Sequence, residues 1–379
     1  MAAPDPAETK KSLPPRQGRP MHMLAPSHRH AHRISASAGA SRHSPRAPAG
    51  TRRIGTCGLR LFDCLPYPIR ITPNGQAQAH PPACTLPPHT PASEAPMFPT
   101  GSFRGFDIRL EPPGIAVITF NQPERLNGLA QPIKRDLIEA ITQAQMDDRV
   151  RVLLFTGSGR AFCAGDDITG RPLPGGPALV PDIFPGHREE IGTYKGLRVL
   201  SQSLNTAIRN LDKLTIAAIN GVAIQSGLSL ALACDFRIAS TDARLGSATL
   251  RFGLLPDEGG HALLVQLFGV ARAMDFLMRK RIVSGAEALE LGLVHELCEP
   301  AELMDRAMAL ARELAEGPQV AMRLLKRSLY LAAESTWAQA LEDIAARTAI
   351  SDHHPDAREG VAAFRDRRTP RFNAWLEGR

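Results

Sequence analysis

Two glycine-bearing turns hold the residues whose types and spacing best suit chemistry. Gly157-Ser-Gly-Arg-Ala-Phe-Cys-Ala-Gly165-Asp166-Asp167 follows one buried β-branched run, and Asn220-Gly-Val-Ala-Ile-Gln-Ser226-Gly227 follows another and opens an apolar helix. Glycine lets a backbone approach a ligand closely or take positive φ, so a strand entering such a turn can aim peptide N–H groups at one point. A helix start adds unpaired N–H donors and the positive end of its dipole. If the two turns converge, their N–H groups make an oxyanion hole, which stabilises negative charge developing on a carbonyl oxygen. Singly, each turn also fits plain chain reversal. Neither has the spacing of a Walker loop or of Gly-x-Gly-x-x-Gly, which excludes those phosphate cradles. A third segment, Gly253-Leu-Leu-Pro-Asp257-Glu258-Gly259-Gly260, is a proline-led turn that sets two carboxylates ahead of a helix. There they serve either proton transfer or ordinary helix capping.

These turns need buried strands to hold them, and the pattern from Phe106 onward supplies a layered α/β domain. Residues 115–120 and 150–156 read as buried strands, and Ile133, Leu137, Ile138 and Ile141 between them fall on one helical face. Residues 215–219, 228–233 and 235–239 read as strand, apolar helix and strand, where the sheet is expected to end. After Gly259 the pattern is almost entirely helical, over residues 262–268, 271–278, 286–291, 301–315, 320–332 and 337–349. The expected organisation is an α/β core over residues 97–270 and a helical C-terminal region over 271–379 that packs on the core or on a partner subunit. Residues 170–192 carry five prolines and read as an irregular pocket loop.

Residues 106–372 resemble the enoyl-CoA hydratase/isomerase, or crotonase, family. Ala161-Phe-Cys-Ala-Gly-Asp-Asp-Ile168 is similar to its first oxyanion turn, and Ala217-Ala-Ile-Asn-Gly-Val-Ala-Ile-Gln-Ser-Gly-Leu-Ser-Leu-Ala-Leu-Ala-Cys-Asp235 to its second. Asn121-Gln-Pro-Glu-Arg-Leu-Asn127, Arg281-Ile-Val-Ser-Gly-Ala-Glu-Ala-Leu-Glu-Leu-Gly-Leu-Val294 and Glu359-Gly-Val-Ala-Ala-Phe364 extend the likeness. The resemblance implies a spiral core of β-β-α units with a C-terminal trimerisation region, an acyl-CoA thioester as partner, and a homotrimer or homohexamer. It implies that the backbone N–H groups of Asp166 and Ser226 hold a thioester enolate. Ala164, Gly165 and Gly227 then line the substrate turns; Arg368 with Arg367 either reaches coenzyme A phosphates, within a subunit or across an interface, or belongs to a merely solvated basic helix face.

Two departures shape the expected reaction. Gln225-Ser226 stands where the family usually has two glycines, so Ser226 is expected to take a glycine's backbone position. The two glutamates that a family hydratase uses read here as Ser229 and Thr249, neither a general base at neutral pH without help. Some isomerase members carry a catalytic aspartate at the position of Asp257. Asp257 is therefore the first expected catalytic residue and Glu258 the second, and double-bond isomerisation is favoured. The alternatives are hydration or acyl-CoA hydrolysis using Glu258, or a catalytically silent acyl-CoA-binding protein. Asp166 and Asp167 side chains are expected to be structural turn residues.

Composition bounds the rest. Residues 1–96 hold about 12 Arg and Lys, roughly half of all prolines, and only Asp5, Glu8, Asp63 and Glu94 as acids. They read as a disordered basic, Pro-rich tail, with Met97 a plausible start of the working part. The formal charge of +7 therefore belongs to the tail, the remainder is near −1, and no nucleic-acid surface is expected. No run of about 18 apolar residues or signal core is seen, so a soluble, cytoplasmic protein is expected. Cys163, Cys234 and Cys298 are far apart and lack metal-ligand spacing, as do His295 and His353-His354; no metal and no cofactor beyond substrate coenzyme A is expected.

Overall fold

A computed structural model of the chain describes residues 98–173 and 175–376. The expectation of a disordered tail over 1–96 concerns residues outside that range.

The buried runs form two sheets. The larger takes β1 (Gly101–Phe103), β2 (Phe106–Glu111), β3 (Ile115–Phe120), β4 (Val152–Gly157), β6 (Leu214–Ile219), β8 (Phe236–Ser240) and β11 (Glu296–Cys298) in that spatial order. The smaller takes β10 (Ile282–Ser284), β9 (Arg244–Gly246), β7 (Val222–Ile224) and β5 (Ala161–Cys163). β3, β4, β6, β8 and β11 pair parallel and β1 and β2 antiparallel, so the continuous apolar runs sit at the centre, covered on both faces.

Alternation along β3 shows those faces. Ala116, Ile118 and Phe120 join a core with the helices α1 (Gln131–Met146), α3 (Gln202–Asn210) and α4 (Ser226–Ala233). Ile115 and Val117 join a second core against α7 (Leu303–Glu316). α1 begins with Pro132 in its first turn and buries Ile133, Leu137, Ile141 and Ala144 at helical spacing.

A large-sheet strand, a small-sheet strand and a helix recur three times. The units are β4-β5 with α2 (Glu190–Gly196) and α3, then β6-β7-α4, then β8-β9-α5 (Gly260–Met278). This is the expected spiral of β-β-α units, and it places the C-terminal ends of β5 and β7 side by side. Residues 164–173 and 175–189 belong to the irregular loop before α2.

One expectation needs correction. The large sheet does not end near residue 239, because β11 adds to β8 in parallel register and β9 and β10 complete the small sheet. Three-residue strands are too short to display alternation. The two helices expected over 262–268 and 271–278 are both present, run together as α5 and divided where Phe268 (φ −140°) and Gly269 (φ 78°) leave helical geometry. By length and composition α5 passes as a candidate membrane span, although His261, Gln266, Arg272 and Asp275 interrupt its apolar run and the bend at Phe268-Gly269 divides it. It buries Leu264, Ala273 and Phe276 and exposes Val265, Leu267, Val270 and Met274. After α6 (Gly285–Glu290) and α7, the helices α8 (Gln319–Ala332) and α9 (Trp337–Asp352) follow as expected, and α10 (Pro355–Asp366) is an addition. The side chain of His354 caps α10 by accepting from the Asp356 N–H.

Candidate active site

β5 and β7 pair in parallel, Ala161 with Val222 and Cys163 with Ala223, so the turns that leave them run together. Gly165 sits at φ 112°, which suits glycine, and its carbonyl accepts from the Leu129 N–H at 2.9 Å. The opposing turn comes so close that a Cβ on Gly227 would stand 2.0 Å from the Cys163 carbonyl oxygen, so any side chain there would push the turns apart. Asp166 follows Gly165, and Ser226 is the first residue of α4. Among the described residues neither of their backbone N–H groups meets a protein acceptor.

The residue in a glycine's conformation is Gln225, at φ 54° and ψ −112°, and not Ser226 as expected. The helix begins at Ser226, so the reversal that aims its N–H must happen one residue earlier. That region of φ/ψ is close to glycine-only, and the surrounding contacts hold Gln225 in it. Its side-chain amide donates to Glu258 Oε2 at 3.0 Å and approaches Asp257 Oδ1 at 3.4 Å, while its carbonyl oxygen accepts from Ser247 Oγ at 3.2 Å.

Around Ser226 lies a buried polar cluster. Its hydroxyl is 2.5 Å from Glu258 Oε1 and also in hydrogen-bond contact with Asp166 Oδ1. Lys134 on α1, 1% exposed, places Nζ 2.7 Å from Asp166 Oδ1, 3.8 Å from Glu258 Oε1 and 2.8 Å from Ser201 Oγ. Burial pushes the Glu258 carboxyl up to about 7; Lys134 opposes that shift and Asp166 adds to it. α3 fixes the acidic turn through its backbone, Gln202 donating to the Asp257 carbonyl at 3.0 Å and Asn205 to the Glu258 carbonyl at 2.9 Å. Asp257 is half-buried and Glu258 3% exposed.

The structure thus brings together Asp166, Ser226, Gly165, Gly227, Asp257 and Glu258, with Ala164 fixed beside them by its N–H donating to the Leu126 carbonyl at 2.9 Å. The Asp166 side chain, expected to be a turn element, belongs to the cluster instead. Asp167 does behave as a turn residue, accepting from the Thr169 N–H at 2.9 Å and pairing with Arg125 at 3.0 Å. Arg368 is not brought to the turns: its guanidinium makes a bidentate pair with Glu359 at 2.6 and 2.8 Å. Ser229 is buried against the Gly260 backbone. His295 accepts from the Arg237 N–H at 3.1 Å, a structural role.

Lys134, Ser201 and the side chain of Gln225 were missed as site residues. Lys134 had a legible signal, since it lies three, four and seven residues before Leu137, Ile138 and Ile141 and so on the apolar stripe of α1.

The enoyl-CoA hydratase/isomerase family model matches residues 111–374, across both turns and the acidic turn. The chain belongs to the enoyl-CoA hydratase/isomerase family. Within the family it is 36% identical over 263 residues to the 1,2-epoxyphenylacetyl-CoA isomerase of Escherichia coli (strain K12), covering 68% of this chain and 95% of that protein. It is 37% identical over 267 residues to the mitochondrial enoyl-CoA hydratase domain-containing protein 2 of Mus musculus, covering 68% and 84%. Among solved structures, the enoyl-CoA hydratase from Bacillus anthracis aligns with a TM-score of 0.64 at 29% identity, over 71% of this chain and 99% of that one.

Proposed function

We propose that the protein is an acyl-CoA enzyme that stabilises a thioester enolate with the Asp166 and Ser226 N–H groups and moves a double bond by proton transfer through Asp257 and Glu258. The observation that carries this reading is the contact between Ser226 and Glu258. One residue offers an unpaired backbone donor while its hydroxyl lies 2.5 Å from a carboxyl that burial tunes to about 7. Charge stabilisation and proton transfer are therefore available at one point, near neutral pH.

Withdrawing a proton next to a thioester drives an electron pair onto the carbonyl oxygen. Two N–H donors meeting that oxygen lower the cost, and losing one donor typically reduces turnover by about 10² to 10³. Ser229 and Thr249 lack a carboxylate, which supports isomerisation over hydration by the family's glutamate pair. Isomerisation requires no activated water, only groups that take a proton from one carbon and return one to another.

A trimeric or hexameric assembly, cytoplasmic placement and the absence of any cofactor beyond substrate coenzyme A are parts of this proposal. Assembly is supported by the exposed Trp337 (79%) and Phe364 (86%) and the exposed apolar face of α5, surfaces that a subunit contact would cover.

The test is a spectrophotometric assay of the purified chain with 3-enoyl-CoA, 2-enoyl-CoA and dienoyl-CoA, following conjugated-thioester absorbance. The expected result is rising absorbance from the 3-enoyl substrate. Loss of 2-enoyl absorbance with a 3-hydroxyacyl product would replace isomerisation by hydration. Binding of all three without turnover would make the protein a silent acyl-CoA binder.

A further inference from the structure

The hydrogens around Ser226 do not add up if every neighbouring acid is ionised. The hydroxyl touches Asp166 Oδ1 on one side and Glu258 Oε1, at 2.5 Å, on the other. A serine has one hydrogen to give and an ionised carboxylate has none, so at most one of these contacts can be a hydrogen bond donated by serine. The other needs a hydrogen from the carboxyl side. Asp166 Oδ1 already accepts from Lys134 Nζ at 2.7 Å, whereas Glu258 Oε1 is 3.8 Å from that ammonium and its residue is 3% exposed. The extra hydrogen therefore belongs on Glu258, the carboxyl with less cationic support and the greater cost of carrying charge.

We propose that the resting site holds a directed chain in which the Glu258 O–H donates to Ser226 Oγ, the Ser226 O–H donates to Asp166, and Lys134 donates to Asp166 as its counter-ion. The inference rests on the isomerase reading and divides the labour of the acidic turn: Asp257 removes the proton and Glu258 supplies one. The α-carbon C–H bond breaks, its proton goes to the Asp257 carboxylate, and its electron pair enters the thioester dienolate held by the two N–H groups. The dienolate then takes the Glu258 proton at the γ-carbon, forming the new C–H bond and the conjugated product. Asp257 ends protonated and Glu258 ionised. Exchange with water at half-buried Asp257 and proton return to Glu258 reset the pair.

Lys134 is a positioning residue. Without it, the Asp166 carboxylate would face the enolate unpaired, from the residue that supplies an oxyanion donor. The charged groups facing Glu258 are Lys134 from α1, Asp166 from the turn after β5, and Asp257 on its own turn. Cys163 of β5 is a buried thiol pushed up to about 12, while α3 and α4 contribute only neutral side chains here.

Infrared difference spectroscopy reads the proton without requiring turnover. At pH 6 the full-length protein should show a protonated-carboxyl C=O band that disappears in Glu258→Gln, shifts in Ser226→Ala, and titrates away near the value of about 7. Lys134→Met should move that titration upward by about one pH unit or more, and Lys134→Arg should restore it even if the methionine variant folds poorly. If the parent and Glu258→Gln have the same carboxyl spectrum at pH 6, Glu258 is ionised and the inference is wrong, although isomerisation by a one-base route could stand. If the band is present and no thioester is isomerised, the proton chain stands and the assigned reaction falls. With an isomerised substrate in D2O, the inference expects roughly one solvent deuterium at the γ-carbon per turnover. Return of the abstracted substrate hydrogen to that carbon would overturn the division of labour.

Discussion

Gln225 holds a backbone conformation suited to glycine while its side-chain amide reaches Glu258 Oε2 at 3.0 Å. The two facts oppose each other energetically. Backbone strain of this kind costs about 1–3 kcal/mol, and a hydrogen bond to an uncharged carboxyl returns about 0.5–1.5 kcal/mol. Gln225→Gly relieves the first and loses the second, so chemical denaturation should give a stability within about 1 kcal/mol of the parent. Gln225→Ala keeps the strain and loses the bond, and should be destabilised by about 0.5–1.5 kcal/mol. Turnover should fall in both variants because Asp257 and Glu258 lose a shared tether; full activity in Gln225→Gly would remove the tether from the account.

Gly227 makes a sharper prediction. A methyl group 2.0 Å from the Cys163 carbonyl cannot be accommodated without separating the turn after β5 from the start of α4. Gly227→Ala should reduce turnover by about 10² or more. Calorimetric titration with a coenzyme A thioester, alongside circular dichroism, distinguishes lost donor geometry from lost folding. A variant that folds and turns over at the parent rate would mean that the two turns need not meet.

The raised affinity of Glu258 for a proton fixes the sign of one contribution to pH-dependent stability. The folded carboxyl titrates near about 7 against an ordinary value of 4.5, so between those limits the folded state binds more protons than the unfolded state. This contribution is fully present below 4.5 and is lost as pH rises to about 7, by on the order of 3 kcal/mol. Glu258→Gln should therefore gain stability relative to the parent as pH rises through that window. Urea unfolding of both proteins at pH 5 and pH 8 checks this; parallel pH profiles would show that Glu258 is ionised at little cost.

Away from the site, Lys326 on α8 places Nζ 2.8 Å from Asp235 Oδ2 and donates to the Lys213 carbonyl at 2.9 Å. Asp235 also accepts from Tyr330 and from the Thr215 N–H and hydroxyl, at 2.7–2.9 Å. Lys326→Met leaves a buried carboxylate without its cation, a loss of about 3–5 kcal/mol, and should lower the thermal midpoint. Lys326→Met with Asp235→Asn should recover much of that loss; no recovery would show that α8 is held by packing alone.

The sequence displayed the long elements because burial on both faces writes continuous apolar runs, as in residues 115–120 and 214–219, and burial on one face writes a stripe, as in α1. β5, β7, β9, β10 and β11 were poorly legible because three residues fit several patterns and are fixed by their neighbours. The donor positions of the candidate site could be placed by motif. The acidic turn Asp257-Glu258 was legible too, but the neighbours of Glu258 were not, because Lys134, Asp166 and Glu258 are 32 and 92 residues apart and only folding sets their distances. The glycine-like conformation was assigned one residue late because composition shows that two glycines are missing, not which of the replacements carries the positive φ.

The helical passage that leaves the pocket loop contains a π-helical turn, Leu197–Ser201, joined directly to α3. Ser201, Gln202 and Asn205 on this stretch hold Lys134, the Asp257 carbonyl and the Glu258 carbonyl. Adding or deleting one residue within the π turn would rotate α3 by about 100° and displace all three supports together. The pocket loop upstream has anchors of its own, Asp182 pairing with Arg104 at 2.5 Å and the Leu179 and Val180 N–H groups donating to Asp136 at 3.1 and 3.3 Å. Length changes in the loop are thus confined to the stretches between those anchors, whereas the spacing from Leu197 to Asn205 admits none.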